Sequence, residues 1–339
     1  MKLRPPGDDG TSESHAAPAP AGAVREVAYT SSDGLTLAAR DHGDRSSPWL
    51  PVVCLPGLSR TARDFDAIAT YFATDRQRPR RVVAFDYRGR GRSAWAASAE
   101  GYNPVTEMTD VLDGMAALGL ARAVVVGTSR GGIIGMMIGV ARPHVVAALV
   151  LNDVGPAIEA RGLARIRSYV GRTPVPDDWE DAARIQRRLH AAQFTAWGDD
   201  DWRRFARLTY RDDNGRPAAD YDPALARTLE TIDFDGPMPS LWNEFRAMKT
   251  TPILVLRGEN SDILSSDTVA AMVESRPDLA VMTVAGEGHA PMLRPGPIAD
   301  RIGGFIAEIE GDAPPPEAVA PRHTEPIDLD APATDADRR

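Results

Sequence analysis

Cysteine is nearly absent from this chain of 339 residues: Cys54 is the only one, and it sits in an apolar run. A single thiol closes no internal disulfide and builds no cysteine-based zinc cluster. This excludes a stapled secreted scaffold and fits a reducing compartment. Long hydrophobic runs are missing too. No stretch of roughly 18 apolar residues occurs, so no membrane span is expected. Positions 1–22 hold no apolar segment of the kind a secretory signal needs, which makes the cytoplasm the expected location. An excess of positive charge is also lacking: 39 Lys and Arg stand against 48 Asp and Glu, a net charge of −9. An acidic chain with scattered arginines gives no footprint for nucleic acid. The six histidines show no pairing at metal-ligand spacing and no H-E-x-x-H occurs, so neither a metal nor another cofactor is expected.

What is present is a large globular chain, long enough to bury a core without staples. Residues 1–22 and 311–339 are rich in Pro, Ala and polar residues and too poor in large apolar side chains to offset ordering entropy, so both are expected to be disordered tails. Between them, Val24–Thr30 and 35–40 read as a hairpin turning at Ser32-Asp33-Gly34. Near-continuous Val/Ile/Leu runs follow at 51–55, 81–85, 123–126, 145–151, 253–256 and 281–284, the pattern of strands buried on both faces of a parallel sheet. Amphipathic stretches at 62–72, 105–118, 131–141, 266–274 and 297–310 separate them. Strand, helix, strand, helix predicts an α/β, mostly parallel, doubly wound sheet. About a hundred residues interrupt this rhythm and read as helical. They predict a helical cap at 155–247 inserted between core segments 23–154 and 248–310.

Chemistry concentrates where strands end. The run Gly127-Thr128-Ser129-Arg130-Gly131 is a G-x-S-x-G placed between a buried strand and an apolar helix. That setting projects the serine hydroxyl from a sharp turn toward a base. Ser129 is the candidate nucleophile. His289, in the glycine-flanked Gly286-Glu287-Gly288-His289 after the last strand, is the candidate base. The orienting acid is expected after the preceding strand, at Asp262 in Gly258-Glu259-Asn260-Ser261-Asp262. Glu259 is a neighbouring alternative, and Asp153, after the strand 145–151, is another carboxylate at the sheet edge. Backbone N–H groups of Leu58 and Arg130 are the candidate oxyanion donors. The segment from Asp86 to Ser93, Asp-Tyr-Arg-Gly-Arg-Gly-Arg-Ser, lacks phosphate-loop spacing and reads as a turn at the sheet edge with largely solvated arginines. The acids Asp199, Asp200 and Asp201 read as a helix start.

These motifs, Pro56-Gly57-Leu58, Asp86 to Ser93, Gly127 to Gly132, Gly258 to Asp262 and Gly288-His289-Ala290-Pro291, stand in one order across about 250 residues. Taken together, the chain resembles the capped α/β-hydrolases that include carboxylesterases, enol-lactonases and carbon–carbon bond hydrolases of aromatic-ring degradation. Two positions depart from that pattern. The oxyanion loop has Pro56 where the family commonly has His, and the acid segment is one residue longer. The resemblance implies a serine hydrolase working through a Ser-His-Asp triad and an acyl-enzyme. Its serine argues against dehalogenase or epoxide hydrolase chemistry, which uses aspartate there. The expected substrate is a small or medium, partly apolar carboxylic ester. A lactone or carbon–carbon substrate bearing a carboxylate, met by cap arginines such as Arg165, Arg167 and Arg207, is the alternative. A non-catalytic binder on the same fold is a further one.

Overall fold

The computed structural model describes residues 24–311 apart from 231, 235 and 237. Of the two expected tails only Gly311 falls within the described residues; positions 1–22 and 312–339, together with Ala23, lie outside them. The core runs β1 (Val24–Thr30), β2 (Thr36–His42), β3 (Val52–Leu55), α1 (Asp66–Ala73), β4 (Val82–Asp86), α2 (Pro104–Ala117), β5 (Ala123–Thr128), α3 (Arg130–Ala141) and β6 (Val146–Asn152). After β6 come α4 (Ala160–Tyr169), α5 (Trp179–His190), α6 (Asp199–Thr209), β7 (Tyr210–Asp213), β8 (Arg216–Ala219), α7 (Arg227–Glu230) and α8 (Trp242–Ala247). The core resumes with β9 (Ile253–Gly258), α9 (Ser266–Ser275), β10 (Ala280–Val284) and α10 (Pro297–Glu310).

Eight strands form one sheet in the order β1-β2-β4-β3-β5-β6-β9-β10. Pairs β1–β2 and β2–β4 are antiparallel and the remaining pairs are parallel. Strands β3 to β6 are buried along their length, save the half-buried Thr128 that ends β5, because successive side chains face opposite layers of helix. Val53, Leu55, Phe85, Val125, Leu149 and Leu151 pack on one face with side chains of α2, α3, α8 and α9, among them Met115, Ile134 and Phe245. Their neighbours Cys54, Ala84, Val124, Val126 and Val150 pack on the other with Ile68 and Phe72 of α1 and Ile302 and Phe305 of α10. The Cys54 thiol is free and wholly enclosed, and burial pushes its pKa up.

The segment between β6 and β9 packs around its own aromatics. Phe194, Trp197 and Trp202 stack at centroid distances of 4.2 and 4.8 Å, joined by Ala182, Ala206 and Met292 from the core's last loop. Its helices begin as their sequences dictate. Asp178 caps α5 through Asp181 N–H, and the acids Asp199, Asp200 and Asp201 occupy the first turn of α6, where negative charge meets free N–H groups. A purely helical reading of this stretch misses one element. The β7–β8 hairpin turns at Asn214-Gly215, both at positive φ (53° and 88°) as a tight two-residue turn requires. Pro217 within β8 argues against a strand, and the hairpin tolerates it because β8 pairs on one side only.

Candidate active site

Three strand ends build the site: the carboxyl ends of β5 and β6, and the loop that follows β10. Between Thr128, the last residue of β5, and Arg130, the first of α3, Ser129 is held at φ 52° and ψ −113°, a conformation that costs a non-glycine residue energy. The turn is made possible by close backbone packing. A Cβ at Gly127 would overlap the Gly131 backbone, and one at Gly131 would overlap the Leu55 carbonyl. The Ser129 N–H donates to the Asn152 carbonyl at the end of β6, 3.1 Å.

The sharp turn presents the Ser129 hydroxyl to His289. Ser129 Oγ lies 2.9 Å from His289 Nε2, and His289 Nδ1 lies 2.7 Å from Asp153 Oδ2. Asp153 immediately follows β6, is fully buried and sits at φ 56°. Its carboxylate also accepts from Gly258 N–H at 2.8 Å and from Ser261 Oγ at 2.6 Å. The loop carrying His289 is fixed by Glu287, which accepts from Met292 N–H at 2.8 Å and lies buried with its carboxyl pKa pushed up by that burial. Hydroxyl, imidazole and buried carboxylate thus stand in one hydrogen-bonded line. In such a line the imidazole removes the hydroxyl proton while the carboxylate fixes its tautomer and stabilises the resulting imidazolium.

Asp262, the acid expected from the sequence, is not the group on His289. Its carboxylate faces α4 instead, accepting Arg165 Nε at 2.6 Å and Nη2 at 2.9 Å. Burial favours the protonated form of Asp262, yet the Arg165 guanidinium outweighs it and holds the pKa below the usual carboxylate range. The residue that bends inward from the β9 loop is Ser261, as a donor to Asp153. Glu259 likewise turns away, accepting from Gly286 N–H.

Leu58 and Ser129 share one cavity wall, and Arg130 is the first residue of α3. Among the described residues neither backbone N–H donates to a protein group. Both residues are tied to one carboxylate. Glu107 of α2, wholly buried, takes Arg130 Nε at 2.7 Å and pairs with Arg90 Nη1 at 2.8 Å, while Arg90 Nε donates to the Leu58 carbonyl at 2.8 Å. Burial alone would raise the Glu107 pKa, but the two guanidiniums keep it lowered. Of the arginines after β4, Arg92 is exposed as its sequence suggests, but Arg88 and Arg90 are not. Arg90 is fully buried, and Arg88 is buried against Asp110 and Asp33. Their partners lie on α2 and in the β1–β2 turn, far off in sequence.

The cavity over Ser129 has a volume of ≈ 180 Å³. Besides Ser129 and His289 it is lined by Leu58, Phe65, Asn152 and Leu293 from the core and by Ile166, Tyr169, His190, Phe205 and Tyr221 from the segment between β6 and β9. Arg60 also lines it, with its guanidinium on Asp64 at 2.6 and 2.8 Å and over the Phe205 ring at 4.6 Å. Of the arginines considered for a substrate carboxylate, Arg165 is held by Asp262, Arg167 lies over Phe234 and Arg207 over Trp179. No group of three or more metal-ligating side chains occurs among the described residues, and no helix there is long and apolar enough to cross a membrane.

Known proteins resemble this chain in sequence and fold. The profile described as the alpha/beta hydrolase family matches residues 52–301. A 3-hydroxybutyrate-oligomer hydrolase of Cupriavidus necator is 34% identical over 264 residues, covering 75% of this chain and 87% of that protein. A 2-(acetamidomethylene)succinate hydrolase of Mesorhizobium japonicum is 28% identical over 210 residues, 61% of this chain and 71% of its own length. The crystal structure of an alpha/beta hydrolase from Novosphingobium aromaticivorans matches with a TM-score of 0.76 at 40% identity, over 84% of this chain and 98% of that one.

Proposed function

The chain belongs to the alpha/beta hydrolase family, and from that premise we propose that it is a serine hydrolase cleaving carboxylic esters through Ser129, His289 and Asp153. The observation that carries this reading is the hydrogen-bonded line from Ser129 Oγ through His289 to Asp153 Oδ2, facing a partly open cavity. In this mechanism His289 Nε2 takes the Ser129 proton as Oγ adds to the ester carbonyl. The oxyanion is received by the N–H groups of Leu58 and Arg130. Collapse expels the alcohol, which takes the proton from His289 and leaves an acyl group on Ser129. Water, deprotonated by His289, then releases the acid and restores the hydroxyl. The segment 155–247 serves as a cap that closes the cavity and selects the substrate.

Charge around the cavity favours a neutral ester over a carboxylated lactone or carbon–carbon substrate. Arg60 and Arg165 each spend their charge on an aspartate, and Arg167 and Arg207 lie on aromatic rings. The C. necator relative, named for 3-hydroxybutyrate oligomers, supports an ester of a short hydroxy acid as the substrate. The test is labelling with a fluorophosphonate probe followed by intact mass and peptide mapping. One adduct on Ser129 is expected, absent from Ser129→Ala, together with hydrolysis of p-nitrophenyl butanoate that this variant loses by at least about 10³-fold. A wild-type protein that neither labels nor hydrolyses the ester contradicts the reading.

A further inference from the structure

His190, the last residue of α5, is not part of the triad, yet it stands in the cavity wall facing the same space as Ser129. It is 6% exposed and surrounded by the edges and faces of Tyr169, Phe194 and Phe205, at ring-centroid distances of 5.4, 6.4 and 5.6 Å. Its Nδ1 is buried without any hydrogen-bond partner. Burial, reinforced by the positive charges of Arg165 and Arg60, brings the imidazole pKa down to about 3, so the ring is neutral and holds one donor and one acceptor nitrogen. A buried polar atom left unpaired is costly, and an aromatic side chain without nitrogen would fill this setting at no such cost. A second unpaired polar atom lies in the wall of the same cavity. Asn152 Oδ1 is buried without a partner, while its Nδ2 is committed to Thr128 Oγ1 and the Pro291 carbonyl at 3.0 Å each. Two unsatisfied polar atoms in a cavity whose other polar lining groups include the paired Arg60 and Asp64 match a ligand that brings its own neutral hydrogen-bonding group.

Resting on the ester-hydrolase reading, we infer that His190 is a specificity-determining residue that hydrogen-bonds a neutral hydroxyl or carbonyl carried by the substrate beyond the reacting carbonyl, selecting hydroxy-acyl esters over plain acyl esters. An anionic group is disfavoured because the neutral ring offers it no charge and the nearby arginines are already paired. A hydroxyl is suited because it both donates and accepts, and so satisfies either nitrogen of a ring that has no partner to fix its tautomer.

The experiment compares ethyl butanoate with ethyl 3-hydroxybutanoate, two esters with the same leaving group, by titrating released acid at constant pH. Wild type, His190→Phe, His190→Asn and His190→Gln are each assayed on both. Wild type is expected to favour the hydroxy ester in kcat/KM. His190→Phe should lose roughly 10-fold on that ester, the size of one hydrogen bond, while butanoate changes by less than about 3-fold. His190→Asn or His190→Gln, which return a polar atom near Nδ1 or Nε2, should recover part of the preference. Equal losses on both esters, or a preference that survives His190→Phe, would overturn the inference. So would a wild type with no preference, even if it hydrolyses butanoate and labels at Ser129. If wild type hydrolyses neither ester and takes no fluorophosphonate label, the hydrolase reading itself fails, and the inference with it.

Discussion

Asp153 is held by more hydrogen bonds than its imidazole partner alone supplies. Gly258 N–H, Ser261 Oγ and His289 Nδ1 all converge on one fully buried carboxylate. Hydrogen bonds to a buried charge are the stronger kind. Ser261→Ala is therefore expected to lower stability by about 1–3 kcal/mol in urea unfolding at neutral pH, and an unchanged midpoint would show that this hydroxyl does not support the carboxylate. Ser129 and His289 were legible because each lies in a glycine-flanked turn at the end of a recognisable strand. The acid was not, because β6 and β9 both end in a loop bearing an aspartate. The choice between them is made by Arg165, which arrives from α4 and turns Asp262 away. A pairing between residues 97 apart leaves no local trace.

At the level of elements, α2 links the two residues whose N–H groups are assigned to the oxyanion. Glu107 binds both Arg90 and Arg130, and Arg90 grips the Leu58 carbonyl. Glu107→Gln leaves a fully buried guanidinium without its counter-charge, and a loss of about 3–5 kcal/mol in stability is expected. In the fraction that stays folded, kcat should fall more than KM changes, since the misplaced groups act on the transition state. A variant with full stability and full kcat would rule out this support. The parallel strands were legible from their apolar runs, and the start of α6 from its three acids. The buried arginines after β4 were not, because a charged residue beside glycines looks solvated until its distant partners are known. The β7–β8 hairpin carried its own signal in Asn214-Gly215, masked by Pro217 and by the helical run before it.

Across the whole molecule, stability at acid pH reports on His190. Its pKa is about 3 in the folded protein against an ordinary value of 6.5, so the unfolded chain binds a proton that the folded one refuses. A histidine depressed in this way stabilises the fold above 6.5, and that contribution is lost as pH falls from 6.5 toward 3. The limiting slope is about 1.4 kcal/mol per pH unit. Unfolding of His190→Phe followed by urea between pH 6.5 and 4.5 should show a shallower decline than wild type. Identical slopes would mean that the ring is not held neutral. The same aromatic shell links the segment between β6 and β9 to the loop that follows His289, through Met292 against Phe194 and Trp197. Packing of that segment and the cavity over Ser129 thus depend on each other.

The most direct test of the catalytic assignment compares two single substitutions, Asp153→Asn and Asp262→Asn, by kcat for p-nitrophenyl butanoate at pH 8. Asparagine keeps the shape of each side chain but removes the charge that orients and stabilises the imidazolium. A fall of about 10³–10⁴-fold is expected for Asp153→Asn, against a change within about 10-fold for Asp262→Asn, which loses only its pairing with Arg165. A collapse of activity in Asp262→Asn, with Asp153→Asn near wild type, would contradict the account.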